Sequence, residues 1–249
     1  MKNLAADLKK KLKKKGIMDK NDMLSLTLYK NILIEVPEGV YGPSYDTRYL
    51  LSKLELRIGE TMLDLGSGSG IVALAMADKA QWVTGVDIDN ASVSCARSNA
   101  KLNGIRNATF LKSSWFKRLE GKKFDLIVAN LPQYPKPPGD ICGDYIDRTV
   151  NAGSDGRKYL DEIIAEAPGH LNARGRLQIN QSQFADIRKT ISMLRKSGLR
   201  PEITARKYEP MGRTSRERLW YFRKLGHKIR YKNGVPQNLW CIITAWKDG

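Results

Sequence analysis

From Glu60 onward the chain alternates between short apolar runs and longer stretches whose apolar residues recur at helical spacing. The runs TMLDL (61–65), WVTGVD (82–87), ATFLKS (108–113), FDLIVAN (124–130) and GRLQIN (175–180) read as strands. Helices are expected between them near 70–80, 90–103, 157–171 and 183–197. Such alternation builds βαβ units, and so predicts an α/β fold with a mostly parallel sheet and helices on both faces. Two later runs, EITARKY (202–208) and LWCIITAW (239–246), fit an antiparallel hairpin at one sheet edge, which brings the sheet to seven strands.

Ahead of this core, Leu4, Leu8 and Leu12 stand four residues apart, the pattern of a short one-faced helix ending near Gly16. The segment NILIEVPEGVYGPSYDTRYLLSKL gives an extended run broken by Pro37 and Gly39, then a helix capped near Asp46 or Thr47. The expected division is a basic arm at 1–20, a lead-in segment with a pocket-lining helix at 21–58, and a core at 59–249 carrying a basic insertion at 205–234.

Composition narrows the class. At 249 residues and 41% hydrophobic content the chain can bury its own core. No apolar run reaches the ~18 residues of a membrane span, and the lysine-rich start lacks the apolar region of a secretory signal, so a cytoplasmic protein with no membrane partner is expected. Cys95, Cys142 and Cys241 form no CxxC pair and the two histidines are His170 and His227, so neither a disulfide framework nor a metal site is suggested.

The net charge of +17 is unevenly placed: residues 1–20 hold eight lysines against two aspartates, residues 184–249 hold sixteen basic against five acidic residues, and the middle balances. Clustered cations gain affinity for polyanions by counterion release, which points to RNA or a ribonucleoprotein; the alternative is an ordinary solvated surface. In 205–234 the cations, Arg213, Arg216 and Arg218 among them, alternate with Tyr208, Trp220, Tyr221, Phe222 and Tyr231. That mixture suits single-stranded RNA, unless the aromatics belong to the core.

The strongest chemical signal is MLDLGSGSG, with Asp64 in a strand and Gly66, Gly68 and Gly70 alternating around Ser67 in the turn that follows. Glycines there let a backbone approach a ligand closely, but Ile71 stands where a dinucleotide fingerprint wants its last glycine. The turn resembles the DxGxGxG motif of Rossmann-like S-adenosylmethionine-dependent methyltransferases. The resemblance implies that the turn packs on the methionyl part of the cofactor, with Asp64 acting through its carboxylate or ordered water. Asp87, at the end of the second strand, is placed to accept both ribose hydroxyls, with Ile88 beside it, while Asp89 is expected to cap the next helix. Ser113 and Ser114 fall where relatives place a residue near the adenine amine, and Trp115 borders the ring or fills the core.

FDLIVAN runs straight into LPQYPKP. NLPQ, Asn130 to Gln133, resembles the [N/D]PP[Y/F] motif of methyltransferases acting on planar NH2 groups. By that resemblance the Asn130 oxygen and a main-chain carbonyl at Leu131 or Pro132 accept the two hydrogens of the acceptor and turn its lone pair toward the methyl, so catalysis is largely positioning. The aromatic usual at the fourth position is Gln133, with Tyr134 next. Either Tyr134 stacks on the acceptor in its place, or the acceptor is not a flat base. Finally, VYGPSYDT, with Val40, Tyr41, Pro43, Asp46 and Thr47, matches the VYxPxxDT segment of the HemK-like glutamine methyltransferases of class 1 release factors. The stretch NAGSDGRKYL likewise looks like that family's GxDG stretch. This likeness implies that Tyr41 and Thr47 line the cofactor pocket.

The reading is an enzyme, an S-adenosylmethionine-dependent N-methyltransferase. Charge favours an acceptor in RNA or a ribosome-associated target, and the family likeness favours a protein glutamine. A module of another class, binding RNA without catalysis, is the remaining alternative.

Overall fold

The structure, a computed structural model, describes residues 26–29, 31–141 and 143–249. The expected arm at 1–20 lies outside the described residues. A small antiparallel hairpin, β1 (Leu26–Tyr29) and β2 (Ile32–Glu35), leads to α1 (Tyr45–Lys53). The Rossmann-like core then runs β3 (Thr61–Leu65), α2 (Ile71–Met76), β4 (Trp82–Asp87), α3 (Asn90–Leu102), β5 (Ala108–Lys112) and β6 (Phe124–Ala129). It continues through α4 (Gly143–Thr149), α5 (Lys158–Glu166), β7 (Leu171–Ser182), α6 (Ile187–Lys196) and β8 (Leu199–Pro210). It closes with α7 (Arg213–Glu217), α8 (Leu219–Lys224), β9 (Arg230–Lys232) and β10 (Val235–Lys247).

The sheet order is β5-β4-β3-β6-β7-β10-β8, with β9 pairing β10 off that path. Strands β3 to β7 pair in parallel, and β10 lies antiparallel between β7 and β8. The seven strands read from the sequence are all present, and β9 is an addition. The chain leaves β3 toward β4 and β5, then returns to put β6 on the other side of β3. Ligands of doubly wound sheets bind at such a reversal, outside the strand carboxyl ends.

The central strands are apolar at consecutive positions because both faces are covered. On one face Met62, Leu126 and Val128 pack under α1, α2 and α3; on the other Leu63, Leu65, Ile127 and Ala129 pack under α5 and α6. A third, smaller cluster stacks Phe184 on Phe222 with ring centroids 4.1 Å apart, beside Met211. It explains the insertion: the residues expected as a basic insertion fold into the end of β8, α7, α8 and β9, anchored by Phe222. Tyr221 and Phe222 are buried, whereas Trp220 on the same short helix is 57% exposed.

Two asparagines one turn apart, Asn99 in the last turns of α3 and Asn103 at its C-cap, act as a substitute strand for β2. Asn103 accepts from Leu33 N (2.8 Å) and donates to Leu33 O (2.7 Å), and Asn99 does the same for Glu35 at 2.9 Å in each direction. Asn99 also donates to Ser69 O at 2.9 Å. The edge of β2 is thereby tied to the glycine turn, and the segment that follows β2 is delivered over the carboxyl ends of the sheet.

Candidate functional site

The turn between β3 and α2 is anchored on β4, since both Gly66 and Ser67 donate their backbone N–H to Val86 O, at 2.9 and 3.0 Å. Gly70 (φ 83°) meets α3 so closely that a Cβ would stand 2.9 Å from that of Ala96, so it serves packing rather than ligand contact. Gly68 (φ 50°) faces open space except for Tyr41 O, 3.4 Å from where its Cβ would be. The backbone of the VYGPSYDT segment thus passes over the turn and roofs a cleft of about 580 Å³ at the carboxyl ends of β3, β4 and β6.

Asp64 and Asp87 both line this cleft. Burial pushes the Asp64 carboxyl up to about 7, opposed by a 3.2 Å hydrogen bond from Ala73 N and reinforced by the charge of Asp87. Asp87 is likewise raised by burial, while N–H groups of Asp89 and Gly68, each 2.9 Å from one of its oxygens, pull the other way. Each oxygen keeps a lone pair for a further donor. Ser67 Oγ is buried here with no hydrogen-bond partner among the described residues, an orphan suited to a polar ligand. Trp115, at φ 47°, borders the cleft; its Nε1 donates to Glu162 at 2.9 Å and its ring meets Tyr159 edge-on. Asp89 caps α3 by accepting from Ser92 N at 3.0 Å.

A polar corner lies where β6 ends. Asn130 Nδ2 stands 3.0 Å from Asp46 Oδ2 and 3.3 Å from Thr47 Oγ1, and Asn130 Oδ1 accepts from Asn180 Nδ2 at 3.0 Å. Tyr41 donates to Ser44 Oγ at 3.0 Å, and Ser44 in turn bonds Asp46, so the roof and the corner share one network. The cap of helix α1 is Ser44, two residues before Asp46 and three before Thr47, the two caps expected from the sequence.

The expected cofactor residues Tyr41, Thr47, Asp64, Gly66, Ser67, Gly68, Asp87, Ile88, Ser114, Trp115 and Asn130 all line this one cleft, together with Leu131 and Pro132. Gly70 does not. Neither do the residues expected at the substrate. Gln133 is buried and staples the loop to β7: its Nε2 donates to Leu131 O (3.1 Å) and Asn180 O (2.9 Å), and its Oε1 accepts from Ser182 N. Tyr134 turns into the third cluster, edge-on to Phe184 and Phe222 at 6.0 Å, with its hydroxyl accepting from Asn238. It therefore does not replace the missing aromatic at the acceptor. Arg218 is also buried, 2.7 Å from Asp140 and bonded to Asn151, while Arg213 pairs with Glu217 and Arg216 donates to Met211 O. Arg218 works as a strut of the insertion. The rim residues Arg148, Lys158 and Glu162 from α4 and α5, and Asn180 behind the corner, carried no readable pattern in the sequence.

These residues fit a nucleoside joined to an amino-acid chain: a carboxylate for hydroxyls, a bare backbone turn, an unpaired serine hydroxyl and an indole wall. Replacing Asp87 by Ala should weaken S-adenosylhomocysteine binding roughly tenfold to a hundredfold in calorimetry, the worth of charge-assisted bonds of about 1.5–3 kcal/mol. Unchanged affinity would remove Asp87 from the site.

Known proteins resemble this chain in sequence and in fold. The family description "Methyltransferase small domain" matches residues 38–137. A relative from Methanocaldococcus jannaschii, named as a protein N5-glutamine methyltransferase, is 35% identical over 178 residues, covering 71% of this chain and 89% of its own. A release factor glutamine methyltransferase of Coxiella burnetii is 30% identical, covering 83% of this chain and 76% of its own. Among solved structures, the E. cuniculi complex of Mtq2 and Trm112, responsible for methylation of the termination factor eRF1, matches at TM-score 0.53 and 17% identity over 84% of this chain and 99% of its own. A T. thermophilus 16S rRNA methyltransferase matches equally well, at TM-score 0.53 and 18% identity, over 89% of this chain and 49% of its own. Enzymes acting on protein and on RNA share this fold, so the fold leaves the acceptor open.

Proposed function

This chain belongs to the HemK-like family of S-adenosylmethionine-dependent methyltransferases, and on that premise we propose that it methylates the side-chain amide nitrogen of a glutamine in a protein. The observation that carries the reading is the Asn130 corner: Asn130, its amide fixed by Asp46, Thr47 and Asn180, lines the cofactor cleft next to Leu131 and Pro132, where its oxygen and one main-chain carbonyl would receive the two hydrogens of an NH2 group. An amide nitrogen is a poor nucleophile because its lone pair is delocalised. Two acceptors holding its two hydrogens align that lone pair with the methyl, and such positioning supplies several kcal/mol in favourable cases. When bound, S-adenosylmethionine would supply an electrophilic methyl on its sulfonium sulfur: N–C bond formation would break the C–S bond and leave that electron pair on sulfur, and the methylated nitrogen would release its extra proton to water.

This reading replaces the nucleobase acceptor expected from charge. The named relatives support a protein amide, and the turning of both Gln133 and Tyr134 into the protein interior leaves a hydrogen-bonding corner without a stacking platform from the motif. Such a corner suits an amide on an aliphatic stem better than a base. The basic insertion keeps a holding role in this reading. Its exposed cations share a face with Tyr208 and Tyr231: Arg230 lies 4.5 Å over the Tyr208 ring, and Arg223 donates to Tyr231 at 2.6 Å.

The experiment is transfer of labelled methyl from S-adenosylmethionine into whole-cell extract, followed by separate RNase and protease digestion. Label should survive RNase and be lost to protease, and mass spectrometry should place it on a glutamine side chain. Label released by RNase would overturn the protein acceptor. Pretreating the extract with RNase tests the holding role, which predicts slower labelling of the same protein.

A further inference from the structure

Strand β7 ends beside β6, and its residue Asn180 is completely buried behind the acceptor corner. Its Nδ2 lies 3.0 Å from Asn130 Oδ1 and 3.1 Å from the Asp46 carbonyl. Asn130 is therefore gripped from two sides: Asp46 takes a hydrogen from its nitrogen, and Asn180 gives one to its oxygen. Rotating the Asn130 amide by half a turn would set one NH2 against another at Asn180, and an oxygen against the Asp46 carboxylate. Both contacts repel, so one orientation alone is satisfied. A carbonyl oxygen has two lone pairs. Asn180 occupies one on Asn130 Oδ1 and leaves the second for the methyl acceptor.

The cost of this arrangement is visible at Asn180 itself. Its own Oδ1 is buried with no hydrogen-bond partner among the described residues. An unpaired buried polar atom is expensive. Leucine, with the same branching though greater bulk, would avoid that expense, and aspartate would keep the shape but place an acceptor where a donor stands. An amide retained at a loss points to a need for its NH2. Gln133 serves the same end, because its bond to the Asn180 carbonyl, at 2.9 Å, fixes the backbone from which Asn180 reaches forward.

We propose that Asn180 is a positioning residue for methyl transfer, which holds the Asn130 amide with its oxygen rather than its nitrogen toward the incoming NH2. The proposal rests on the reading of Asn130 as the acceptor clamp.

The test is Asn180→Asp, assayed for methyl transfer into the protein labelled by the wild type. At pH 8 the ionised carboxylate cannot donate to Asn130, and kcat should fall between about tenfold and a hundredfold, the range of a misplaced reacting group, with the KM for S-adenosylmethionine unchanged. As pH falls the introduced carboxyl regains its proton and with it a donor, so the ratio of variant to wild-type kcat should rise. The titratable groups around this corner are the Asp46 carboxylate and the phenols of Tyr41 and Tyr134; burial raises both phenols, which stay protonated in either enzyme, and the charge of Asp46 beside the introduced carboxyl favours the protonated form of that carboxyl and moves the rise in the ratio to higher pH. A ratio that stays flat with pH, or a kcat equal to wild type, would overturn the proposal. If Asn180→Asp fails to bind S-adenosylhomocysteine, Asn180→Ser carries the test: kcat should drop about tenfold with that binding intact, and an unaltered kcat overturns the proposal. A wild type that labels no protein ends the amide-acceptor reading instead, and the two failures are thereby distinct.

Discussion

Asn130→Ala should lower methyl transfer by on the order of a hundredfold or more while S-adenosylhomocysteine binds as before. The reason is geometric. Asn130 stands where β6 stops, and its amide is locked between Asp46, Thr47 and Asn180, so its oxygen is in place before the acceptor arrives. Alanine removes that oxygen and leaves one hydrogen of the acceptor NH2 unheld, which frees the nitrogen to rotate out of line. Cofactor affinity should survive because the Asp87 carboxylate, the Gly68 turn and the Ser67 hydroxyl sit elsewhere on the cleft wall. A paired measurement of kcat and of analogue binding decides the matter. Transfer within twofold or so of wild type would put the chemistry somewhere other than this corner, and loss of both properties would make Asn130 a structural residue. Any affinity for RNA should be untouched, since the exposed cations belong to the insertion, and this separates the enzyme from a module that merely binds.

Asp64→Asn should remove much of the loss of stability that the wild-type protein suffers between pH 4 and pH 7. The carboxyl is 2% exposed, and burial raises it from an ordinary value of 3.8 to about 7. Below the unfolded value the acid is protonated in both states, and its contribution to stability is complete. Between the two values the folded protein holds a proton that the unfolded chain has released, so stability declines as pH rises and is lost once pH passes about 7. The whole difference is worth up to about 4 kcal/mol. Asparagine keeps an oxygen for Ala73 N and cannot ionise, so its denaturation midpoint should be flatter over this range, although its unmatched NH2 costs about 1–3 kcal/mol at every pH. Urea unfolding at pH 5 and pH 8 of both proteins is the measurement, and parallel shifts would show that Asp64 does not titrate in this window. The same group couples stability to ligand binding. A positively charged ligand in the cleft favours the ionised form, so S-adenosylmethionine should bind more tightly above pH 7 than below it, and Asp64→Asn should weaken that dependence.

Chemistry that depends on local pattern was legible along the chain. Alternating apolar runs and helical stretches specify the seven strands and their helices, because strand and helix periodicity are properties of neighbouring residues. The DLGSGSG turn, Asp87 at the next strand end and Asn130 at the fourth each combine a strand terminus with a residue type that makes sense only at a ligand. Asp64, Gly66, Ser67, Gly68, Asp87 and Asn130 all line one cleft, whereas Gly70 packs on α3. Tertiary structure alone decided which residues around them face the ligand. Gln133 and Tyr134 follow Asn130 directly, yet β7 and the Phe184 cluster draw both inward, a pull exerted by residues about fifty positions away that no local window contains. Arg218 looks like its neighbours Arg213 and Arg216 on paper, but Asp140 and Asn151 come from the loops before and after α4 and bury it. Asn180 is one more polar residue in a strand until the parallel pairing of β6 and β7 sets it against Asn130. Charge totals and residue spacing carry no record of such contacts, because orientation and burial are fixed by packing between elements distant in the chain.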